Sequence, residues 1–180
     1  CNCGFWAAHY VTRGVSRVVG LEGRRRSVEQ AELYFSVNKF LPEDSWGFHE
    51  ADVADAASWG LARDHGPYDL TLCAGILHHL PDYREVLGWA ARLTREALII
   101  DTRVTRGEEK SVHEPDDTGF NSIEGRRDRV VPNLERLMEH LRGLGFVPQV
   151  LPVPFEEYAG VDGADNYAGG MRVAILATRH

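Results

Sequence analysis

The chain has 180 residues, enough for one domain of ordinary size and short for two. Hydrophobic residues make up 43% and charged residues 26%, a folded composition that argues against a disordered chain. A net charge of −7 supplies no overall basic field for nucleic acid. The longest wholly aliphatic run, Ala97-Leu98-Ile99-Ile100, falls far below the ~20 apolar residues of a membrane-spanning helix.

Cysteines stand at positions 1, 3 and 73. Their odd number, with two of them in a C-x-C pair, points away from a disulfide scaffold and toward a reducing, cytoplasmic setting. A structural zinc site needs a second ligand pair that the sequence lacks, so no metal is expected. Of the 20 cationic residues, all but Lys39 and Lys110 are arginine, which reads as a compositional bias rather than as a site.

In chain order, residues 5–13 read as a helix closed by Gly14, and residues 15–22 as a short β-branched strand ending in Glu22. Ser27, with Gln30 three residues on, has the pattern of a capping box opening a helix that carries Val28, Ala31, Phe35 and Val37. Residues 46–53 form a further extended run, and Asp55 opens a short helix that stops near Gly66-Pro67. Residues 68–75 are apolar almost throughout, as in a strand buried on both faces. Pro81 starts a helix with Tyr83, Val86, Leu87, Ala90 and Leu93 on one stripe, and residues 96–102 form the next strand. A helix from Asn133 carries Leu134, Leu137, Met138, Leu141 and Leu144 before Gly145 stops it. Residues 146–153 and 171–178 are the last two strands. Alternation of this regularity predicts an α/β fold in a single domain spanning residues 1–180, a doubly wound, mostly parallel sheet with helices on both faces. The opening Cys1-Asn2-Cys3-Gly4 loop runs straight into a helix, so a strand is expected upstream of Cys1.

In open sheets of this kind ligands bind beyond the carboxyl ends of the strands. Gly4 lets the backbone approach a ligand at a helix start. Glu22, followed by Gly23, can accept both hydroxyls of a ribose. Asp52 can accept from an exocyclic amine while Val53 packs on a flat ring. Ala74 and Gly75 leave room at the end of the strand over residues 68–75, just before Ile76-Leu77-His78-His79-Leu80-Pro81-Asp82. Each of these also has a purely structural use: a solvated strand end for Glu22, a helix cap for Asp52 and for the histidines.

Together the segments Cys-Asn-Cys-Gly-Phe-Trp, Val-Val-Gly-Leu-Glu, Glu-Ala-Asp-Val and Asp-Leu-Thr-Leu-Cys-Ala-Gly-Ile-Leu-His-His-Leu-Pro-Asp, in this order, resemble class I S-adenosylmethionine-dependent methyltransferases. The resemblance covers nearly the whole chain. It implies a Rossmann-like, seven-stranded sheet whose last strand runs antiparallel beside the fifth. It also implies the cofactor S-adenosyl-L-methionine, with S-adenosyl-L-homocysteine as product. Cys1, Asn2 and Gly4 would surround the methionine part, Glu22 and Gly23 the ribose, Asp52 and Val53 the adenine, and Ala74 and Gly75 would give backbone contacts near the amino acid moiety. The acidic residue and first glycine usual in the family's opening loop would precede Cys1. The first segment and the stretch from Thr71 to Leu80 are loosely similar to a subgroup grouped with tRNA wobble-uridine methyltransferases.

The implied reaction moves a methyl group to a small-molecule oxygen or nitrogen acceptor, with a tRNA nucleoside as the alternative. Alignment dominates such a displacement, and a general base adds roughly 10²–10⁴-fold for a hydroxyl acceptor. His79 is the first candidate base, because imidazole ordinarily titrates near ~6.5; Asp101 is the second. Residues 103–131, 29 residues without clear periodicity, are expected to form a substrate lid whose Arg126, Arg127 and Arg129 could meet a phosphate or carboxylate. A nicotinamide-dependent dehydrogenase ranks below, since only Gly4 of its three-glycine fingerprint is visible. A binding module without catalysis stays open at this stage.

Overall fold

The computed structural model describes residues 2–113, 128–153 and 165–179. The chain forms two compact units, Cys1–Gly66 and Pro67–His180.

In the first unit, α1 (Phe5–Val11) leads into β1 (Val18–Glu22), α2 (Arg25–Asn38), β2 (Trp46–Glu50) and α3 (Trp59–Arg63). Strands β1 and β2 pair in parallel, with Glu22 opposite Glu50. Ala8 of α1, Val28, Ala31 and Phe35 of α2 and Phe48 of β2 form the core. Phe35 is fully buried, its ring edge-on to Phe48 at 4.9 Å. Helix α2 corrects the capping-box reading. It begins two residues before Ser27, which is buried inside its first turn with its N–H bonded to the Arg24 carbonyl. Arg24 occupies the cap position without a side-chain cap. The early start has a cause outside the helix: Glu22 accepts from both the backbone N–H and Nε of Arg24 and so fixes the chain one turn earlier. Asp55 does cap its helical turn, accepting from the Ala57 N–H at 3.0 Å.

In the second unit, β3 (Tyr68–Ala74), α4 (Tyr83–Leu93), β4 (Thr94–Arg103), β5 (Lys110–His113), β6 (Asp128–Val131), α5 (Leu134–Gly143), β7 (Val147–Leu151), α6 (Asp165–Ala168) and β8 (Arg172–Thr178) follow in order. The sheet order is β3-β4-β8-β7. β3 and β4 are parallel, and β8 lies antiparallel to both β4 and β7. The last strand thus sits where the resemblance implied, between its neighbours and reversed. Helices α4 and α5 bury Tyr83, Val86, Leu87, Ala90, Leu137 and Leu141, each large aliphatic contributing about 1.5–3 kcal/mol. Asp82 and Asn133 cap them, accepting from Arg84 N–H and Arg136 N–H at 2.9 Å. β3 buries only Cys73 fully and leaves Leu70 exposed, in contrast to the two-sided burial expected of it. The stretch 103–131 is more regular than its sequence: β4 runs through Arg103, and β5 and β6 form a hairpin. Alternating residues are few in so short a ladder, so period-2 patterning cannot show it. Residues 114–127, with Arg126 and Arg127, lie outside the described residues.

Candidate functional site

Parallel pairing puts the carboxyl ends of β1 and β2 side by side, and the Ala51 N–H closes the ladder on the Glu22 carbonyl at 2.9 Å. The opening loop reaches the same edge, because Asn2 donates its N–H to Glu22 Oε2 at 2.7 Å. Asn2 and Gly4 both have left-handed φ, +51° and +80°. A Cβ at Gly4 would come within 3.1 Å of the Ala31 Cβ, so both strain and packing call for glycine. Glu22 Oε1 takes Arg24 Nε at 2.7 Å. Burial alone would raise the Glu22 carboxyl, but the hydrogen bonds from Arg24 and Asn2 and the guanidinium charge outweigh it and hold it below the ordinary carboxylate range. Gly23 makes the bend from β1 to α2. Asp52 lies two residues beyond Glu50 in a turn, its Oδ1 accepting from the Ala54 N–H at 2.9 Å, and the Val53 carbonyl is held by Trp59 Nε1. Asn2, Gly4, Glu22, Gly23, Asp52 and Val53 are therefore drawn to one end of the β1–β2 pair or the bends that follow it. Cys1 lies outside the described residues.

At the carboxyl end of β3, Ala74 is opposite Asp101, and Gly75, with φ +68°, donates its N–H to the Asp101 carbonyl at 2.8 Å. The turn Leu77–His79 follows. His78 is buried, 3% exposed. The Arg103 N–H, which can only donate, points at His78 Nδ1 at 3.4 Å, with Thr102 Oγ1 3.1 Å from the same nitrogen. Nδ1 thus lies within reach of both groups. Burial, with the charges of His79, Arg172, Arg103 and Arg129 added, pushes His78 down to about 3. It is therefore a neutral ring near pH 7 and a weak base. His79 is half-buried with its ring 4.1 Å from that of His78. The hairpin braces this turn, Val130 N–H donating to the Leu80 carbonyl at 2.9 Å.

Asp101 is held from both sides. Arg172 donates Nε to Oδ1 at 2.8 Å and adds Nη2 to the same oxygen, while the Tyr167 hydroxyl donates to Oδ2. Both carboxylate oxygens are engaged by the chain itself. The sequence reading missed Arg172, Tyr167 and Thr102. For Arg172 a signal existed: a charged residue opening an antiparallel last strand must fall at the carboxyl edge of its parallel neighbours. Tyr167 and Thr102 gave none. A hollow between α4 and α5, lined by Arg84, Arg136 and His140, shares no residue with either strand edge. No cluster of three or more metal-ligating side chains occurs among the described residues.

No family model matches the sequence, and no curated protein matches it. Solved structures do. The N-terminal domain of EvdMO1, crystallised with S-adenosylhomocysteine bound, matches with a TM-score of 0.68 at 18% identity, covering 97% of this chain and 79% of that one. An S-adenosylmethionine-dependent methyltransferase from Mesorhizobium loti matches with a TM-score of 0.68 at 16% identity, over 99% of this chain and 88% of that one. Magnesium protoporphyrin IX methyltransferase (ChlM) from Synechocystis PCC 6803, with S-adenosylmethionine bound, gives 0.62 at 16%, over 100% and 67%. At these identities the likeness is one of fold: the chain has the α/β, mostly parallel architecture of this methyltransferase class.

Proposed function

We propose that the chain is an S-adenosylmethionine-dependent methyltransferase acting on a small-molecule acceptor. The observation that carries this reading is the β1–β2 edge, where a glycine whose φ and close packing disfavour a side chain, a half-buried carboxylate and an Asp-Val turn occur together, in a fold shared with proteins crystallised with this cofactor or its product. The residues fit the cofactor. Gly4 keeps the loop clear, and Glu22 stands at the end of β1, where a carboxylate would hold the ribose hydroxyls. Asp52 and Val53 would hold the adenine, and Ala74 and Gly75 would line the amino acid moiety.

The cofactor, when bound, supplies an electrophilic methyl group on a sulfonium. The chain's part is to align the acceptor and exclude water, which can be worth as much as ~7–11 kcal/mol. His79 takes the proton from an acceptor hydroxyl. His78 is the poorer candidate, because burial makes it a weak base; it packs against His79 and restricts that ring. A small acceptor is favoured over tRNA by the net charge of −7, since phosphate contacts need a basic surface. The magnesium protoporphyrin IX substrate in the name of one structural neighbour points the same way.

Calorimetric titration of S-adenosylhomocysteine tests the reading. Binding that Glu22→Ala weakens by ~1–3 kcal/mol, the usual loss for charged hydrogen bonds, is the expected result. Absence of binding, with NADH bound instead, would overturn it.

A further inference from the structure

We propose that Arg172 recognises an anionic group of the acceptor, so that the substrate is a carboxylate- or phosphate-bearing small molecule. This rests on the methyltransferase reading and deepens it. Because β8 runs antiparallel, its first residue lies at the carboxyl edge of the second unit, level with Arg103 and two residues before the partner of Asp101. The Asp101 pair fixes the guanidinium: Nε and one Nη2 hydrogen meet Oδ1, and Tyr167 both holds Oδ2 and places its ring 5.6 Å from the guanidinium carbon. Of the five N–H donors of an arginine, two meet Asp101, and the Tyr167 hydroxyl is a further partner of the guanidinium, so donors are left over for a ligand. A guanidinium fixed in orientation with donors to spare is the arrangement that takes a carboxylate or phosphate.

Two further observations point to a ligand rather than to a tie between strands. Gly75 stands against Nη2, and a Cβ there would lie 3.5 Å from it, so the residue beside the free donors has no side chain to cover them. The charges acting on the neighbouring His78 are those of Arg172, Arg103 and Arg129 together with His79, with no carboxylate among the main ones. Three guanidinium groups thus act at this edge, where Asp101 pairs with one of them. A tie would be redundant, since β4 and β8 already share a continuous register from Ala97 to Arg103. A partly buried ion pair adds little net stability of its own.

The test follows the Gly75 amide and the Arg172 Nε–H by NMR in the full chain, titrated with benzoate, with inorganic phosphate and with neutral benzamide. Saturable shifts at both signals with one or both anions, and none with benzamide, are expected; which anion saturates first tells carboxylate from phosphate. R172Q should weaken the binding by about ten- to a hundredfold, the loss of charge-assisted hydrogen bonds. Should R172Q fail to fold, R172K carries the test. A lysine cannot serve Asp101 and a bidentate anion at once, so affinity should fall several-fold, and unchanged affinity overturns the proposal. No saturable shift at tens of millimolar anion also overturns it. S-adenosylhomocysteine is titrated into the same sample. Cofactor product bound without an anion response sinks this inference alone, whereas no cofactor product bound sinks the reading beneath it.

Discussion

The two strand edges are built in opposite ways. At the β1–β2 edge the side-chain contacts include several short in sequence, Glu22 with Arg24 and Asp52 with Ala54, beside a reach of 20 residues from Asn2 to Glu22. At the β3–β4–β8 edge they are long: 24 residues from His78 to Thr102, 66 from Asp101 to Tyr167 and 71 from Asp101 to Arg172. The first edge is therefore a set of turns that a ligand can complete, and the second is a preassembled network that exists only when the second unit is folded. Loss of a residue from the first should be felt mainly in binding. Loss from the second should be felt in stability as well.

The largest effect expected from this difference is at Asp101. Asp101→Ala leaves the Arg172 guanidinium and the Tyr167 hydroxyl without their shared acceptor. Removing one partner of a fully buried pair costs about 3–5 kcal/mol, and with Arg172 27% exposed a loss of about 2–4 kcal/mol is expected. Glu22→Ala removes local hydrogen bonds and should cost about 1 kcal/mol. Urea denaturation of the two variants side by side decides the matter. A Glu22 variant less stable than the Asp101 variant would break the contrast.

The same contrast has a signature in pH. His78 in the folded chain sits at about 3, against an ordinary 6.5. Below pH 6.5 the unfolded chain takes up a proton that the folded one refuses, so stability falls as pH falls through the window from 6.5 to about 3. The slope is at most ~1.4 kcal/mol per pH unit, hence up to about 2 kcal/mol between pH 6.5 and 5. Glu22 is also held low, but against an ordinary 4.5, so its contribution is present above 4.5 and lost only as pH falls below that value. His78→Gln should flatten the stability profile between pH 6.5 and 5, and Glu22→Gln should change it only below pH 4.5. An unaltered slope in His78→Gln would mean that the ring titrates normally in the folded protein.

Legibility in the sequence follows this division. Glu22, Gly4, Asp52 and Gly75 could be picked out because each stands next to the element whose end it marks, and strand ends are visible as breaks in an apolar run. Helices α4 and α5 were legible because their apolar stripes recur every three to four residues and are largely buried. Arg172 and Tyr167 acquire meaning only once β8 is known to be antiparallel and to pair with β4, a fact of register that no local pattern encodes. The β5–β6 hairpin was hidden for a related reason: its strands of four residues each are separated by 14 residues.

The smallest effect separates a local signal that holds from one that misleads. Asn133 and Ser27 both have the composition of a helix cap. Asn133 accepts from the Arg136 N–H at 2.9 Å and also donates to the Gly107 carbonyl at 2.6 Å, so Asn133→Ala should cost about 1–2 kcal/mol. Ser27 stands inside the first turn of α2, where the N–H groups that a cap would serve lie behind it. Alanine has the higher helix propensity and is close to serine in size, so Ser27→Ala should fall within about 0.5 kcal/mol of wild type. Chemical denaturation of the pair makes the comparison. A loss near 1 kcal/mol in Ser27→Ala would mean that α2 starts at Ser27 in solution. Arg24 would then lie outside the helix, and Glu22, relieved of positioning that turn, would be freer to meet a ribose.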